Sequence, residues 1–131
     1  MLVPAAQRLP VLSYVMTAKN IKIHLPFGQV SAIGPGKADL LEAIASSGSI
    51  SAGARQLGMS YKRAWDLVDT MNRSFKQPLI ATATGGSHGG GAQVTEFGLD
   101  VLRRYRTIEA KARLAVSSEL EALAGMLAPL S

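Results

Sequence analysis

A very short turn that begins at Gly58 constrains the fold of this chain more than any other feature. Before it, Ser51 precedes a segment in which Ala54 and Leu57 recur at helical spacing. Gly58 suits the left-handed residue that ends such a helix, and Ser60 suits the N-cap that begins the next one. Two helices joined by so short a turn predict a helix-turn-helix unit.

Helical patterns flank this turn on both sides. Leu40, Leu41 and Ile44 recur at helical spacing and are followed by Gly48, which predicts an earlier helix with a glycine stop. The helix after the turn is predicted from about Tyr61 to Phe75. Its buried stripe is predicted to consist of Ala64, Leu67, Val68 and Met71.

Strand patterns precede and follow the helices. Residues 21–25 alternate apolar and polar side chains, which predicts a short edge strand ended by Pro26, and residues 29–37 are predicted to be a connection. Residues 79–84 and 93–95 predict two strands of a hairpin with a glycine-rich tip. The predicted fold is therefore mainly α with a small β-hairpin, a winged helix-turn-helix followed by a long C-terminal dimerisation helix.

The C-terminal part carries one long apolar stripe from Phe97 to Leu127, with a step of three or four residues. Ser118 with Glu121 resembles a capping box, so the sequence leaves open one helix or two. The stripe exceeds what a small core covers, so its surplus is predicted to meet a second copy of the chain. The predicted dimerisation residues are Val101, Tyr105, Ile108, Ala112, Val116 and Leu120. The predicted domains are a tail (1–19), the winged helix-turn-helix (20–96) and a dimerisation segment (97–131).

Composition disfavours most enzyme classes and a membrane location. The chain has no Cys and two His, His24 and His88, which are predicted on a strand and in a loop, so we expect no catalytic residues, metal site or cofactor. Asp66 and Asp69 are expected to be solvated or to pair on their helix. No apolar run approaches the roughly 18 residues that a spanning helix needs, so a cytoplasmic protein is expected.

Charge and aromatic residues indicate DNA contact. Fourteen Lys and Arg against nine Asp and Glu give a net charge of +5, which favours a polyanionic partner. On the third helix, Trp65 lies about one turn after Ser60, and is expected either to contact DNA or to pack between helices. Arg63 either contacts phosphate or pairs with an acid. The candidate DNA-binding residues of the helices are Arg55, Ser60, Tyr61, Lys62, Arg63 and Trp65.

The glycine-rich tip is the second candidate DNA contact. Gly85 and Gly90 have the first spacing of a phosphate-binding loop, but Gly91 and Ala92 stand where that motif needs Lys and Ser or Thr. The tip is therefore read as a wing that approaches phosphates, or as a hairpin tip that contacts nothing. Its candidate residues are Thr84, Gly85, Gly86, Ser87 and His88.

Several short motifs together carry a family resemblance. They are SGSIS at 47–51, SYK at 60–62, AWD at 64–66, MN at 71–72, ATGG at 83–86 and GGGA at 89–92 with Thr95. Over roughly residues 20–116 the chain resembles the N-terminal DNA-binding domain of the molybdate-responsive transcriptional regulators, the ModE family. The resemblance implies a LysR-like winged helix-turn-helix that dimerises through its long helix and binds an operator with two-fold character. It also places Ser60, Tyr61, Lys62 and Trp65 on the recognition helix and residues 84–87 on the wing.

The chain departs from the family pattern in the wing, where Thr82 and the pair Ser87-His88 stand in place of usual basic residues. Family members that sense molybdate do so through C-terminal domains, and the sequence ends at Ser131, so no residue is assigned to molybdate. The sensor lies on a separate effector-sensing protein, or the DNA-binding half acts alone, or the sequence is a fragment.

These observations predict a homodimeric, sequence-specific transcriptional regulator. Its predicted partner is double-stranded DNA with an inverted-repeat operator, and the family resemblance links it to molybdenum-related gene control. The alternative is a protein-interaction module that pairs with another regulator through its long helix and has weak or no operator binding.

Overall fold

The computed structural model describes residues 21–27, 30–83 and 91–129. The predicted tail at 1–19 and the wing-tip candidates Thr84, Gly85, Gly86, Ser87 and His88 lie outside these residues. The elements in chain order are β1 (Leu25–Phe27), β2 (Val30–Ile33), α1 (Pro35–Ser47), α2 (Ile50–Gln56), α3 (Tyr61–Ser74), β3 (Ile80–Thr82), β4 (Ala92–Val94) and α4 (Glu96–Ala124).

Three helices followed by an antiparallel hairpin and a long helix confirm the predicted winged helix-turn-helix class. Residues 23–106 form one compact unit, and a second unit contains residues 107–131 together with Ile21 and Lys22. The first unit has its core where α1, α2 and α3 meet the wing strands and the start of α4. Its most deeply buried large side chains are Leu40, Leu41, Ile44, Val68, Met71, Leu79, Ile80 and Tyr105.

The first hairpin differs from the prediction. The strand predicted at 21–25 lies at Leu25–Phe27 instead, and the predicted connection contains β2 and the first residues of α1. Pro26 stands within β1 because a two-stranded sheet leaves strand edges unpaired and a bulge lies beside this residue, so its missing N–H is tolerated. Pro35 begins α1, since proline has the backbone angle of a first helical residue and needs no partner there.

One predicted helix boundary is also wrong, and one open question about a helix is answered. The N-cap of α2 is Ser49, whose Oγ accepts a hydrogen bond from the Ala52 N–H at 3.0 Å, and not Ser51. This earlier start brings Ile50 into the core. The sequence left open one helix or two around Ser118, and the structure has one: α4 is continuous for 29 residues, about 43 Å at the usual rise of an α-helix.

Candidate nucleic-acid interface

The helix-turn-helix is held by local hydrogen bonds at the turn that the sequence predicts. Gly58 has a φ of +66°, in the left-handed region that glycine adopts without a Cβ penalty. The Met59 N–H donates to the Ala54 carbonyl at 3.0 Å and closes the end of α2. Ser60 Oγ then accepts from the Arg63 N–H at 3.1 Å, which confirms Ser60 as the N-cap of α3. The direction of α3 therefore depends on residues within one turn of each other.

One side of α3 is buried, and the opposite side faces solvent. Ala64, Val68 and Met71 are buried, as predicted, while Leu67 is half-buried at the margin of the core. Because the helix repeats every 3.6 residues, Lys62 and Asp66 lie on the side opposite Ala64. The first two turns of α3 therefore present an exposed polar face.

Two aromatic side chains flank this exposed face. Tyr61 is 55% exposed and Trp65 37% exposed, and their rings pack edge to face with centroids 6.2 Å apart. The indole of Trp65 packs on a neighbour of its own helix and still reaches solvent, and its contact with DNA stays a prediction. The pair restricts the rotamers of both rings and offers apolar edges of the kind that contact thymine methyl groups.

The charges on α3 form two ion pairs. Lys62 Nζ lies 3.2 Å from Asp66 Oδ2, and Arg73 Nη2 lies 2.9 Å from Asp69 Oδ2. Arg55 and Arg63 are exposed, and within the described parts of the chain neither forms an ion pair. These two guanidinium groups are the cations of the helix-turn-helix best placed to reach phosphate oxygens.

The base of the wing is a short antiparallel ladder. Ile80 faces Val94 and Thr82 faces Ala92, and the Ala83 N–H extends the ladder by donating to the Gly91 carbonyl at 2.9 Å. The Ala92 N–H donates to the Gly48 carbonyl at 3.0 Å, which ties β4 to the turn between α1 and α2. The hairpin is thus anchored to the helical part of the same unit.

Asn72 connects α3 to the wing, a role that the sequence reasoning missed. Its side-chain oxygen accepts from the N–H groups of Leu79 and Ile80 at 2.9 and 3.1 Å, and its Nδ2 donates to the Ile80 carbonyl at 3.0 Å. A polar side chain directly after the buried Met71 was the available signal. Asn72 therefore fixes the angle between the recognition helix and β3.

Gly98 and Thr95 place the start of α4 against the wing. Thr95 Oγ1 accepts from the Gly98 N–H at 2.9 Å and donates to the Pro78 carbonyl at 2.8 Å. A Cβ at Gly98 would lie 2.3 Å from the Leu79 carbonyl oxygen, so glycine is required by close backbone approach. Neither residue was predicted to have this role.

The predicted dimerisation residues fall into two groups. Tyr105 is 1% exposed and donates from its hydroxyl to the Ile23 carbonyl at 2.6 Å, and Val101 packs against the same core. Both side chains thus stabilise a single protomer, so Tyr105 does not offer the surface contact predicted for it. Ile108 and Val116 are exposed, whereas Ala112 and Leu120 are half-buried.

An ion pair between Glu109 and Arg113 lies among the predicted dimerisation residues of α4. Glu109 is buried, and its carboxylate lies 3.5 Å from Arg113 Nη2, which also donates to the Ile21 carbonyl at 3.2 Å. Intrachain contacts thus already cover one edge of this helical segment.

The remaining observations on the described residues concern one lysine, metal binding and membrane spans. Desolvation by partial burial lowers the pKa of the Lys37 ammonium, whose Nζ donates to the Ser31 carbonyl. The described residues contain no group of three or more His, Cys, Asp or Glu placed to hold a metal ion. None of the helices in this part combines the length and the apolar character needed to cross a membrane.

Comparison with known proteins identifies relatives of this helix-turn-helix. Residues 37–99 match the family described as bacterial regulatory helix-turn-helix protein, lysR family. The chain is 47% identical over 77 residues to the molybdenum-pterin-binding protein MopA of Rhodobacter capsulatus, which covers 59% of this chain and 29% of MopA. It is 46% identical over 86 residues to the DNA-binding transcriptional dual regulator ModE of Escherichia coli, covering 66% and 33%.

A further relative covers more of the chain. The transcriptional regulator ModE of Yersinia pestis is 39% identical over 115 residues, which are 86% of this chain and 44% of that protein. The chain therefore spans less than half the length of these relatives. The predicted resemblance to ModE is confirmed, and residues 37–99 form a helix-turn-helix domain of the lysR type.

Proposed function

We propose that this protein is a sequence-specific DNA-binding transcriptional regulator that inserts the first two turns of α3 into the major groove. The observation that carries the proposal is the exposed face of α3, in a segment that matches a regulatory helix-turn-helix family. Ser60, Tyr61, Lys62 and Trp65 lie at its N-terminal end, where helix-turn-helix proteins contact base edges. The protein acts by occupying a promoter site, without catalysis.

Phosphate contacts surround this face in the proposed complex. Arg55 and Arg63 contribute positive charge from α2 and α3, and such contacts fix orientation without reading sequence. The wing residues Thr84, Gly85, Gly86, Ser87 and His88 contribute hydrogen bonds to the flanking backbone. The anchoring of the wing base to Gly48 and Asn72 supports this assignment, because it keeps the hairpin at a constant distance from α3.

The regulator acts as a homodimer through α4. The proposed surface consists of Ile108, Ala112, Val116 and Leu120, which recur every four residues along one side of the helix. Exposure of Ile108 and Val116 supports the proposal, since isolated chains gain by covering such side chains. A two-fold dimer binds an inverted repeat, with half-sites separated by a multiple of about 10 base pairs.

The controlled genes are proposed to concern molybdenum. The names of the relatives carry this suggestion, since they include a molybdenum-pterin-binding protein and molybdenum transport protein ModE of Azotobacter vinelandii. A separate effector-sensing protein is a further proposed partner. A regulator of this kind works in the cytoplasm, where bacterial DNA lies.

A protein-interaction module is the second candidate function. The observation that favours it is the exposure of further apolar side chains at the C-terminal end of the chain, including Leu123 and Met126. In this alternative α4 pairs with another regulator, and α3 makes little contact with an operator.

One binding experiment separates the two candidates. The purified chain is incubated with sheared DNA from its own source, with excess competitor DNA at physiological salt, and the retained fragments are sequenced. Recovery of a few fragments that share an inverted repeat supports the regulator and identifies its targets. Retention of all fragments or of none refutes sequence-specific regulation and favours the interaction module.

Point variants then test the assigned face. Lys62→Ala is expected to weaken binding, and Tyr61→Ala to relax sequence preference at a cost of about 1–3 kcal/mol. Lys111→Ala is the matched control, because it removes one positive charge from exposed α4 and leaves α3 unchanged. If Lys62→Ala binds no more weakly than Lys111→Ala, and Tyr61→Ala keeps its preference, the assigned face is wrong.

A further inference from the structure

The side of α3 most distant from the core carries carboxylates as well as cations. By helical geometry Lys62, Asp66, Asp69 and Arg73 form one ridge opposite the buried stripe. They are joined pairwise, Lys62 to Asp66 and Asp69 to Arg73. The ridge therefore carries two positive and two negative charges, and its net charge is zero. A surface that only attracts the phosphates of DNA usually carries a net positive charge.

Stabilisation of the fold does not by itself explain the ion pair nearer the start of α3, between Lys62 and Asp66. Lys62 and Asp66 are 88% and 66% exposed at their side chains, and ion pairs with this exposure contribute little to folding. Lys62 also lies in the first turn of α3, where the helix dipole disfavours a cation. The pair occupies the turns that contact bases in helix-turn-helix proteins.

A carboxylate in this position weakens binding to most DNA sequences. It is repelled by the phosphates, and it loses water when the groove closes around it. Both costs are offset where a base offers a hydrogen-bond donor. In the major groove such donors are the amino groups of cytosine and adenine, and acidic side chains accept from cytosine N4.

Lys62 and Asp66 together match the hydrogen-bonding pattern of one base pair. A G·C pair presents the acceptors N7 and O6 of guanine beside the N4 donor of cytosine. Lys62 Nζ and Asp66 Oδ2, 3.2 Å apart, present a donor and an acceptor side by side. We propose, on the basis of the proposed function, that Lys62 and Asp66 jointly read one G·C pair, with Lys62 donating to guanine and Asp66 accepting from cytosine.

Asp66 is the specificity-determining member of the pair. Lys62 alone would bind guanine or any phosphate, whereas the carboxylate rejects a base pair that lacks the amino group at that place. Replacing Asp66 by asparagine removes the charge and supplies an amide, which pairs with adenine N6 and N7. The preferred base at a single position should therefore change, and Lys62 should become free for phosphate.

The test uses the full chain and a library of DNA duplexes with 20 random base pairs. Wild type, Asp66→Asn and Asp69→Asn are each used to select duplexes, and the bound sequences are compared. For Asp66→Asn we expect a loss of about tenfold in preference for G·C at one position per half-site, with a gain of adenine there. Binding to unselected DNA should rise and the salt slope should steepen by about one unit as Lys62 gains a phosphate.

Asp69→Asn is the matched control because it removes the same charge from the same ridge and releases Arg73 instead. Among the described residues the Asp66 side chain has its hydrogen bond and ion pair with Lys62, and it is 66% exposed, so its variant should fold, and circular dichroism verifies this. An unchanged base profile in Asp66→Asn, or an identical change in Asp69→Asn, would overturn the inference. Failure of the wild type to select any sequence would instead refute the proposed function itself.

Discussion

Replacing Gly98 by alanine places a methyl group where the start of α4 crosses the wing. The new Cβ would lie 2.3 Å from the Leu79 carbonyl oxygen and 2.8 Å from Val94 Cγ1. Two of the nearest atoms belong to the Leu79 backbone, so a change of side-chain rotamer cannot relieve the contact. The helix and β3 must move apart by about 1 Å to restore an ordinary carbon–oxygen distance of about 3.3 Å or more.

This movement has an energetic cost that the structure allows us to estimate. Overpacking costs about 1–3 kcal/mol, and weakening the hydrogen bond from the Thr95 N–H to the Leu79 carbonyl adds about 1 kcal/mol. The higher helix propensity of alanine returns up to about 1 kcal/mol. We therefore expect the free energy of unfolding to fall by about 1–4 kcal/mol.

Urea unfolding followed by circular dichroism measures this difference. Gly36→Ala is the control, because Gly36 is exposed in α1 and its added Cβ would meet no heavy atom within 4 Å beyond its chain neighbours and the backbone of its own helix. The control is expected to be neutral or slightly stabilised, by up to about 1 kcal/mol. All variants are compared at one protein concentration, since the proposed dimerisation would make apparent stability depend on it. If Gly98→Ala unfolds at the same urea concentration as Gly36→Ala, the argument from close backbone approach is refuted.

Three further variants test other contacts. Asn72→Ala removes three hydrogen bonds to Leu79 and Ile80 and should lower the free energy of unfolding by about 2–4 kcal/mol in urea titrations; a loss below 0.5 kcal/mol, roughly the effect of an ordinary surface change, would contradict the connecting role. Ser60→Ala removes the N-cap of α3 and should cost about 1 kcal/mol, whereas full recovery in Ser60→Asp is expected because aspartate caps equally well. Ile108→Asp should convert the proposed dimer to monomers in sedimentation velocity, while Leu114→Asp should leave it intact, because Leu114 is 77% exposed on the opposite side of α4; equal behaviour of the two would refute the proposed interface.

Local physical chemistry explains why parts of the fold were predictable. Gly58 and Ser60 act through contacts within four residues, so their roles in the turn are visible in the sequence. The stripe of Ala64, Val68 and Met71 follows from helical periodicity, because only one side of a surface helix can be buried. Short-range patterns therefore predicted both the helix-turn-helix and the exposed side of α3.

The errors in the first hairpin have a different origin. An alternating pattern shows which side chains share a face, but strand limits depend on which partner residues are available for pairing. The pairing of Phe27 with Val30 places β1 and β2 later than the alternation suggested. Pro35 was read as part of a connection because proline both interrupts helices and begins them.

Sequence alone determined the class of this protein. The helix caps, the turn and the helical stripe are local properties, and they specify a helix-turn-helix without any long-range contact. Tertiary structure alone decided how the parts are held together. Asn72 contacts β3, Gly98 passes against Leu79, and Tyr105 donates to Ile23, which is 82 residues distant. These roles depend on distances between segments that are remote in the chain, and no periodicity within one segment encodes such distances.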